Sequence, residues 1–227
     1  MCSSRLLENI YRDIFGELKQ SSFPVERTGV KININKKTNP KVDVIENDLP
    51  TILSRRRCTR TVSQEPIIVS QLGYLLETSL GVTKKENNNI YYSVPKAGNQ
   101  RELVYIIVIN NVSGILPGTL YEYVPEELTL YELNIQNGSF FYEEWESNAA
   151  FNIIFCMFRE CRRNYLNNVF LTSFEVGCCC QNLQLVTSSL GFGSCISGIV
   201  NINEFYSYFK ELVPLQSISI FKVKNDN

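Results

Sequence analysis

Apolar positions along the chain fall into helical and extended rhythms, and these set the expected elements. Leu6, Leu7, Ile10, Tyr11, Ile14, Phe15 and Leu18 recur at helical spacing, which predicts an amphipathic helix over 5–19 with Ser3 or Ser4 as its cap. Residues 20–48 are polar, rich in lysine and asparagine, and without strong period, so they read as an extended arm. Pro50 and Thr51 open a short helix that ends near an arginine run. Residues 64–80 predict a further helix, with Ile68, Leu72, Leu75 and Leu76 on one side and Gly81 as its stop. Residues 84–89 read as a solvated loop.

β-Branched density makes 102–110 a buried strand, and Gly118 and Pro125 punctuate a hairpin formed by 119–123 and 128–133. Glu143, Glu144 and Glu146 around Trp145 read as a solvated face. A second buried strand covers 149–158, and a long helix of small and apolar residues covers 171–190, ended by the Gly191 to Gly193 segment. Residues 194–200 give a short strand or loop and 203–212 a helix. Alternation of Ser217, Ser219 and Phe221 with Ile218, Ile220 and Lys222 gives a final strand. Helices and strands alternate without regular βαβ spacing, so the expectation is α+β with a mostly antiparallel sheet. Residues 1–48 form a helix and arm, and 49–227 one domain.

Histidine is absent from all 227 residues, which excludes Ser-His-Asp and Cys-His nucleophile systems and imidazole metal sites. Lysine plus arginine total 22 against 23 acids, so no net field favours nucleic acid or a membrane surface. The apolar runs are too short to span a bilayer. Eight cysteines without a secretory signal indicate reduced thiols in a cytoplasmic protein. A zinc site from Cys156, Cys161, Cys178 and Cys195 lacks any CxxC pair, so no metal is expected.

Three segments carry candidate chemistry. Ser54-Arg55-Arg56-Arg57-Cys58-Thr59-Arg60 gathers guanidinium forks that match phosphate oxygens, although such a run is also an ordinary basic patch. Pro95-Lys96-Ala97-Gly98-Asn99 precedes a strand, and its small pair lets a planar ligand approach backbone, although a plain turn has the same composition. Gly191-Phe192-Gly193-Ser194-Cys195 follows a helix bearing Gln181 and Asn182, and its glycines permit either ligand approach or helix capping.

Taken in order, these segments resemble the FMN-dependent nitroreductase superfamily: an Arg-Arg-Ser-x-Arg leader, a Pro-Ser-Ala-Gly loop, and a Gln-Asn helix ending in Leu-Gly-x-Gly. Within it, Leu120-Tyr121-Glu122-Tyr123-Val124-Pro125 and Pro214-Leu215-Gln216-Ser217-Ile218 resemble segments of the SagB/McbC-type dehydrogenases, which oxidise azolines to azoles in ribosomally made peptides. The resemblance covers about residues 48–224. It implies a nitroreductase-like homodimer with FMN in clefts lined by both chains. Arg56, Arg57, Cys58 and Arg60 are then expected at the phosphate and ribityl end, with Lys222 or Lys224 as added cations. Pro95, Lys96, Ala97, Gly98 and Asn99 lie along the flavin ring, and Gly193, Ser194 and Cys195 approach from the partner. A precursor peptide is the implied substrate, with cyclodehydratase or other synthetase subunits as further partners.

Departures mark the segment before the long helix. Lys96 and Cys58 stand where the family has serine, and Cys178 stands where it has histidine. The branch's Lys-Tyr pair falls on Arg163-Asn164, and its Arg-Gly-Tyr-Arg on Asn167-Asn168-Val169-Phe170. Tyr165, one position away, is the expected substitute phenol, with Arg163 orienting it because arginine does not act as a base. Two further readings follow from this divergence. One is an NAD(P)H-dependent nitroreductase or dehydroamino-acid reductase; the other is a non-catalytic subunit of a peptide-modifying synthetase.

Overall fold

The computed structural model describes residues 26–34, 44–45, 48–60, 63, 65–87, 89–99, 102–136, 138–160, 167–198 and 200–223. In chain order these form β1 (Arg27–Asn33), α1 (Leu49–Arg55), β2 (Ile67–Ile68), α2 (Val69–Leu80), β3 (Val82–Glu86), β4 (Asn89–Tyr92) and a 3-10 turn (Ala97–Asn99). There follow β5 (Leu103–Ile109), β6 (Val112–Ser113), β7 (Thr119–Val124), β8 (Thr129–Gln136), α3 (Glu144–Ser147) and β9 (Phe151–Phe158). The last elements are α4 (Asn168–Ser189), β10 (Phe192–Ser197), α5 (Ile202–Tyr208) and β11 (Leu212–Lys222).

One seven-stranded sheet, in the order β1-β8-β7-β5-β9-β11-β10, organises the molecule, and every neighbouring pair in it is antiparallel. The continuous apolar run of β5 has a direct cause, because both faces of the sheet are covered. Leu103, Tyr105, Ile107 and Ile109 join a core with Leu72, Leu75, Leu76 and Leu80 of α2 and Val176, Cys179, Cys180 and Leu183 of α4. Val104, Ile106 and Val108 point the other way, into a second core built by Phe140, Phe141, Phe205 and Phe209. Strict alternation of hydrophobic and polar residues belongs to sheets with one wet face, and here neither face of the central strands is wet.

The α+β class and the mostly antiparallel sheet flanked by helices are as expected, and so are the short helix after Asp48, the β7–β8 hairpin and the long helix. Asp48 fixes the start of α1, its Oδ2 accepting from Thr51 N–H at 3.0 Å and from Thr51 Oγ1 at 2.6 Å. Gly191 ends the α4 region with φ 69°, a conformation that favours glycine.

Several expectations are corrected. The arm over 20–48 contains a strand: β1 pairs with β8, and Arg27 binds the Glu122 carboxylate at 2.9 Å. The solvated loop at 84–89 is instead the β3–β4 hairpin, whose exposed side chains hide its pairing from hydropathy. Ile68 is 45% exposed and belongs to β2, because α2 begins only at Val69. Glu146 is buried, so the acidic cluster around Trp145 is not wholly a solvated face. The helix expected over 203–212 stops at Tyr208, and Leu212 instead begins the strand that pairs with β9. The helix predicted over 5–19 lies outside the described residues.

Leu76→Ala should cost about 2–5 kcal/mol, the usual range for emptying a packed core position. Ile68→Ala, at an exposed site, should cost no more than about 0.5 kcal/mol. Urea denaturation of both variants checks the assignment of faces.

Candidate functional site

The helix α4 anchors two of the three candidate segments through buried polar side chains. Glu175, 4% exposed, accepts the Ala97 backbone N–H at 2.8 Å. Seven residues later and so near the same side of the helix, Asn182 donates to the carbonyls of Ser79 at 3.2 Å and Ser93 at 3.0 Å. These bonds fix the end of α2 and the exit of β4, and with them both ends of the approach to the 95–99 loop. Gly98 turns that loop with φ 62°, which answers why a glycine stands there.

A cleft of about 450 Å³ opens beside the loop, lined by Asn89, Tyr91, Tyr92, Val94, Pro95 and Lys96. Lys96 turns inward: its Nζ lies 3.8 Å from the centre of the Tyr92 ring and 5.9 Å from that of Tyr105. Cys179 lies within reach of the same charge. Burial pushes its thiol up to about 12, with the Lys96 cation opposing the shift. Burial also pushes the Cys180 thiol up to about 12, so both are neutral packing groups at ordinary pH.

The arginine segment lies on β10. Cys58 pairs with Ser194 in a parallel bridge, and Thr59 N–H donates to Ser194 O at 3.0 Å. Gly193 makes this approach feasible, since a Cβ there would meet Thr59 Cβ at 2.9 Å and Val223 Cγ2 at 3.0 Å. Its missing side chain therefore admits the protein's own chain. Ser194 is buried and its Oγ meets Thr187 Oγ1 at 3.1 Å, while Gln184 Nε2 lies 3.8 Å from Cys58 Sγ. Cys195 is buried beside Ala149 and Phe221, with Trp145 packed against them.

The arginines differ in their surroundings. Arg56 caps α1, its N–H donating to Ile52 O at 2.9 Å. Arg57 Nη1 donates to the carbonyls of Ser54 and Arg56, both at 2.9 Å. The Arg60 guanidinium lies 5.0 Å from the Trp145 ring centre and against the Cys195 thiol. Lys222, at the end of β11, pairs with Glu65 at 3.1 Å. Lys224, Tyr165 and Arg163 lie outside the described residues, as does the side chain of Asn99.

On sequence alone Trp145 and Glu146 read as part of a solvated face, with no role at the site. Trp145 supplies the aromatic face under Arg60, and a lone tryptophan beside acids was the available signal. Next to it, Asn152 donates to Glu146 O at 3.0 Å and accepts from Ser219 Oγ at 2.5 Å, a buried polar tie across β9 and β11. Loss of water raises the Glu146 carboxyl above its ordinary value, with Ser197 and the Glu143 backbone opposing. Among the described residues no group of three or more His, Cys, Asp or Glu could hold a metal, and no helix is long and apolar enough to cross a membrane.

A family model described as the nitroreductase family matches residues 53–221. The chain belongs to the nitroreductase family. A protein of Methanocaldococcus jannaschii named as a nitroreductase is 26% identical over 176 residues, covering 74% of this chain and 87% of that one. A nitroreductase structure from Ralstonia eutropha superposes with a TM-score of 0.69 at 19% identity, covering 92% of this chain and 98% of the other. A chain of the Escherichia coli microcin synthetase McbBCD complex, with truncated pro-MccB17 bound, gives 0.64 at 15% identity over 98% of this chain and 93% of that one. A Desulfovibrio desulfuricans nitroreductase in complex with FMN gives 0.52 at 14% identity, covering 79% and 88%. These three likenesses establish the nitroreductase-like fold.

Glu175→Ala should free the Ala97 amide, speeding its hydrogen exchange and costing about 1–3 kcal/mol, whereas Glu175→Gln keeps an acceptor and most of the protection. For Glu146 the sign is fixed by its raised folded-state value: the native state binds the extra proton, so stability is lost as pH rises from the ordinary carboxyl value through the raised one. Glu146→Gln should therefore gain on wild type across that interval in urea titrations. A wild-type-minus-variant difference that does not change with pH would exclude a raised carboxyl.

Proposed function

We propose that this chain is an FMN-dependent oxidoreductase that oxidises thiazoline or oxazoline rings to thiazoles or oxazoles in ribosomally made peptides. The observation that carries the reading is the anchoring of two candidate segments to one helix. The arginine segment runs along β10 beside Gln184, and the glycine-containing loop hangs from Glu175. The donor set fits the cofactor. Guanidinium groups of Arg56, Arg57 and Arg60 suit a phosphate, and Cys58, Lys222 and Lys224 are proposed with them as cofactor-binding residues. The backbone of the turn through Pro95, Lys96, Ala97, Gly98 and Asn99 suits the edge of a flat ring. Bound FMN would supply the two-electron acceptor that the ring oxidation needs.

This chain's own residues would then position charge and move the proton. Lys96, held between Tyr92 and Tyr105, contributes positive potential beneath the loop. Tyr165, as a phenolate whose charge Arg163 would offset, would take the ring Cα proton. The peptide-maturation reading draws support from the fold shared with a chain of the microcin synthetase complex. Precursor peptide and other synthetase subunits are accordingly the proposed partners.

A homodimer is part of the same reading, with Gly193, Ser194 and Cys195 near the cleft of the second copy. On α4, Phe170 is 49% and Phe174 74% exposed, and the Gly177 position meets no atom within 4 Å. That apolar stripe on the central helix suits burial against a second copy. One observation favours reverse electron flow, NAD(P)H-driven reduction of a nitro compound, quinone or dehydroamino acid: the branch's Lys-Tyr pair is replaced by Arg163-Asn164.

Purified protein should show flavin absorbance near about 450 nm, and a colourless protein that takes up no FMN would leave only the non-catalytic-subunit reading. Arg57→Ala and Arg60→Ala should each weaken FMN binding by about tenfold to a hundredfold, the loss expected for one charge-assisted contact. Tyr165→Phe should retain flavin and lose about 10²–10⁴-fold in azoline oxidation; unchanged turnover removes Tyr165 from the chemistry. Anaerobic bleaching of the flavin by NADH or NADPH alone selects the reductase reading.

A further inference from the structure

The three arginines assigned to the phosphate are held in unlike ways. Arg56 caps α1 through its N–H, and Arg57 commits Nη1 to the carbonyls of Ser54 and Arg56, both at 2.9 Å. Arg60 is exposed, and among the described residues no carboxylate lies within ion-pair distance of it. Its contact is an aromatic face, since Cζ lies 5.0 Å from the centre of the Trp145 ring. An indole face attracts a guanidinium through its quadrupole and carries no lone-pair acceptor. It therefore restrains the cation without closing the N–H fork that a phosphate needs.

Both halves of that contact are fixed from behind. The bridge of Cys58 to Ser194, with Thr59 N–H donating to Ser194 O at 3.0 Å, leaves Arg60 one residue beyond a backbone anchor on β10. The Trp145 ring packs on Phe221 of β11, with centroids 6.2 Å apart, and beside Ala149 and Cys195. Its helix α3 is tied to β9, because Asn152 donates to Glu146 O at 3.0 Å. A side chain as flexible as arginine loses rotamer freedom when it grips an anion, and one already seated on a fixed ring has less left to lose. We propose that Trp145 is a positioning residue for the phosphate end of the cofactor: it seats the Arg60 guanidinium so that the fork stands ready for the phosphate of FMN. The inference rests on the FMN reading and adds to it a residue that acts through Arg60 alone. Removing the indole therefore costs no more than Arg60 contributes.

The test titrates the full-length chain, stripped of any flavin, with FMN and with riboflavin, which lacks the phosphate, and follows flavin fluorescence. Wild type should prefer FMN. Trp145→Leu, which keeps an apolar side chain without a ring, should lower that preference by about threefold to thirtyfold, the worth of one cation–π contact. Trp145→Phe should keep more of it. Arg60→Ala should lower the preference at least as far, and adding Trp145→Leu to Arg60→Ala should lower it no further, because the indole then has no cation to place. A purely structural role would instead weaken FMN and riboflavin alike and add to the loss from Arg60→Ala. Trp145 is the only tryptophan in the chain, so its emission reports the contact without flavin, and in chains that keep the indole: Arg60→Ala should change it and Arg57→Ala should not. An unchanged FMN preference in Trp145→Leu, additive losses in the double variant, or emission indifferent to Arg60→Ala would each overturn the proposal while leaving the cofactor reading intact. A wild-type chain that does not bind FMN overturns both.

Discussion

Buried and half-buried polar side chains on a helix must find partners, and on α4 they find them in the candidate segments and in the chain that leads to one of them. Glu175 takes the Ala97 amide, Asn182 the carbonyls of Ser79 and Ser93, and Thr187 the hydroxyl of Ser194. Each such group costs about 1–3 kcal/mol if left unmade in a buried place, so the helix and its loops are correct together or not at all. This coupling lets a segment as short as Pro95–Asn99 keep one conformation beside an open cleft. It also explains why α4 is not a simple amphipathic helix: polar residues such as Glu175 and Thr187 are buried and hold neighbouring segments, while Phe170 and Phe174 face outward.

The sheet is the platform for that helix. Because helices α2 and α4 cover one face and the Phe140, Phe205 and Phe209 cluster covers the other, β5 and β9 are buried on both sides. Polar residues survive there only in closed groups, as with Asn152, Ser219 and the carbonyl of Glu146. At one edge, β10 receives the arginine segment as an irregular extra partner, which keeps Arg60 against Trp145 instead of free in solvent. Basic residues that a sequence displays as one run are thereby given different tasks: Arg56 and Arg57 close α1, and Arg60 stacks across the sheet edge.

The local structure of the candidate segments was legible in sequence because their parts are local. The proline, the small pair and the following β-branched run announce a loop entering a strand, and the arginine run follows directly on a short helix opened by Pro50. What these parts touch was not legible. Glu175 and Gly193 appear in the sequence as motif positions, yet one proves to be the acceptor that pins the loop and the other the gap through which Thr59 and Val223 pass. Such roles depend on partners 78 residues away in the case of Ala97 and Glu175, and no local pattern records them.

By itself, the sequence determined the α+β class, the two long buried strands, the short helix opened by Pro50 and Thr51, the long helix and the exclusion of imidazole chemistry. Each of these depends on short-range periodicity, capping or composition. Tertiary structure alone decided that polar residues Arg27–Asn33 form an edge strand, that 84–89 contributes to a hairpin, that Glu146 is buried, and that Cys58 pairs with Ser194. In every one of these cases the deciding term is a hydrogen bond, a loss of water or a side-chain contact supplied by chain distant in sequence. A hydrophobic or polar residue states its preference locally, and only the assembled fold states what stands next to it.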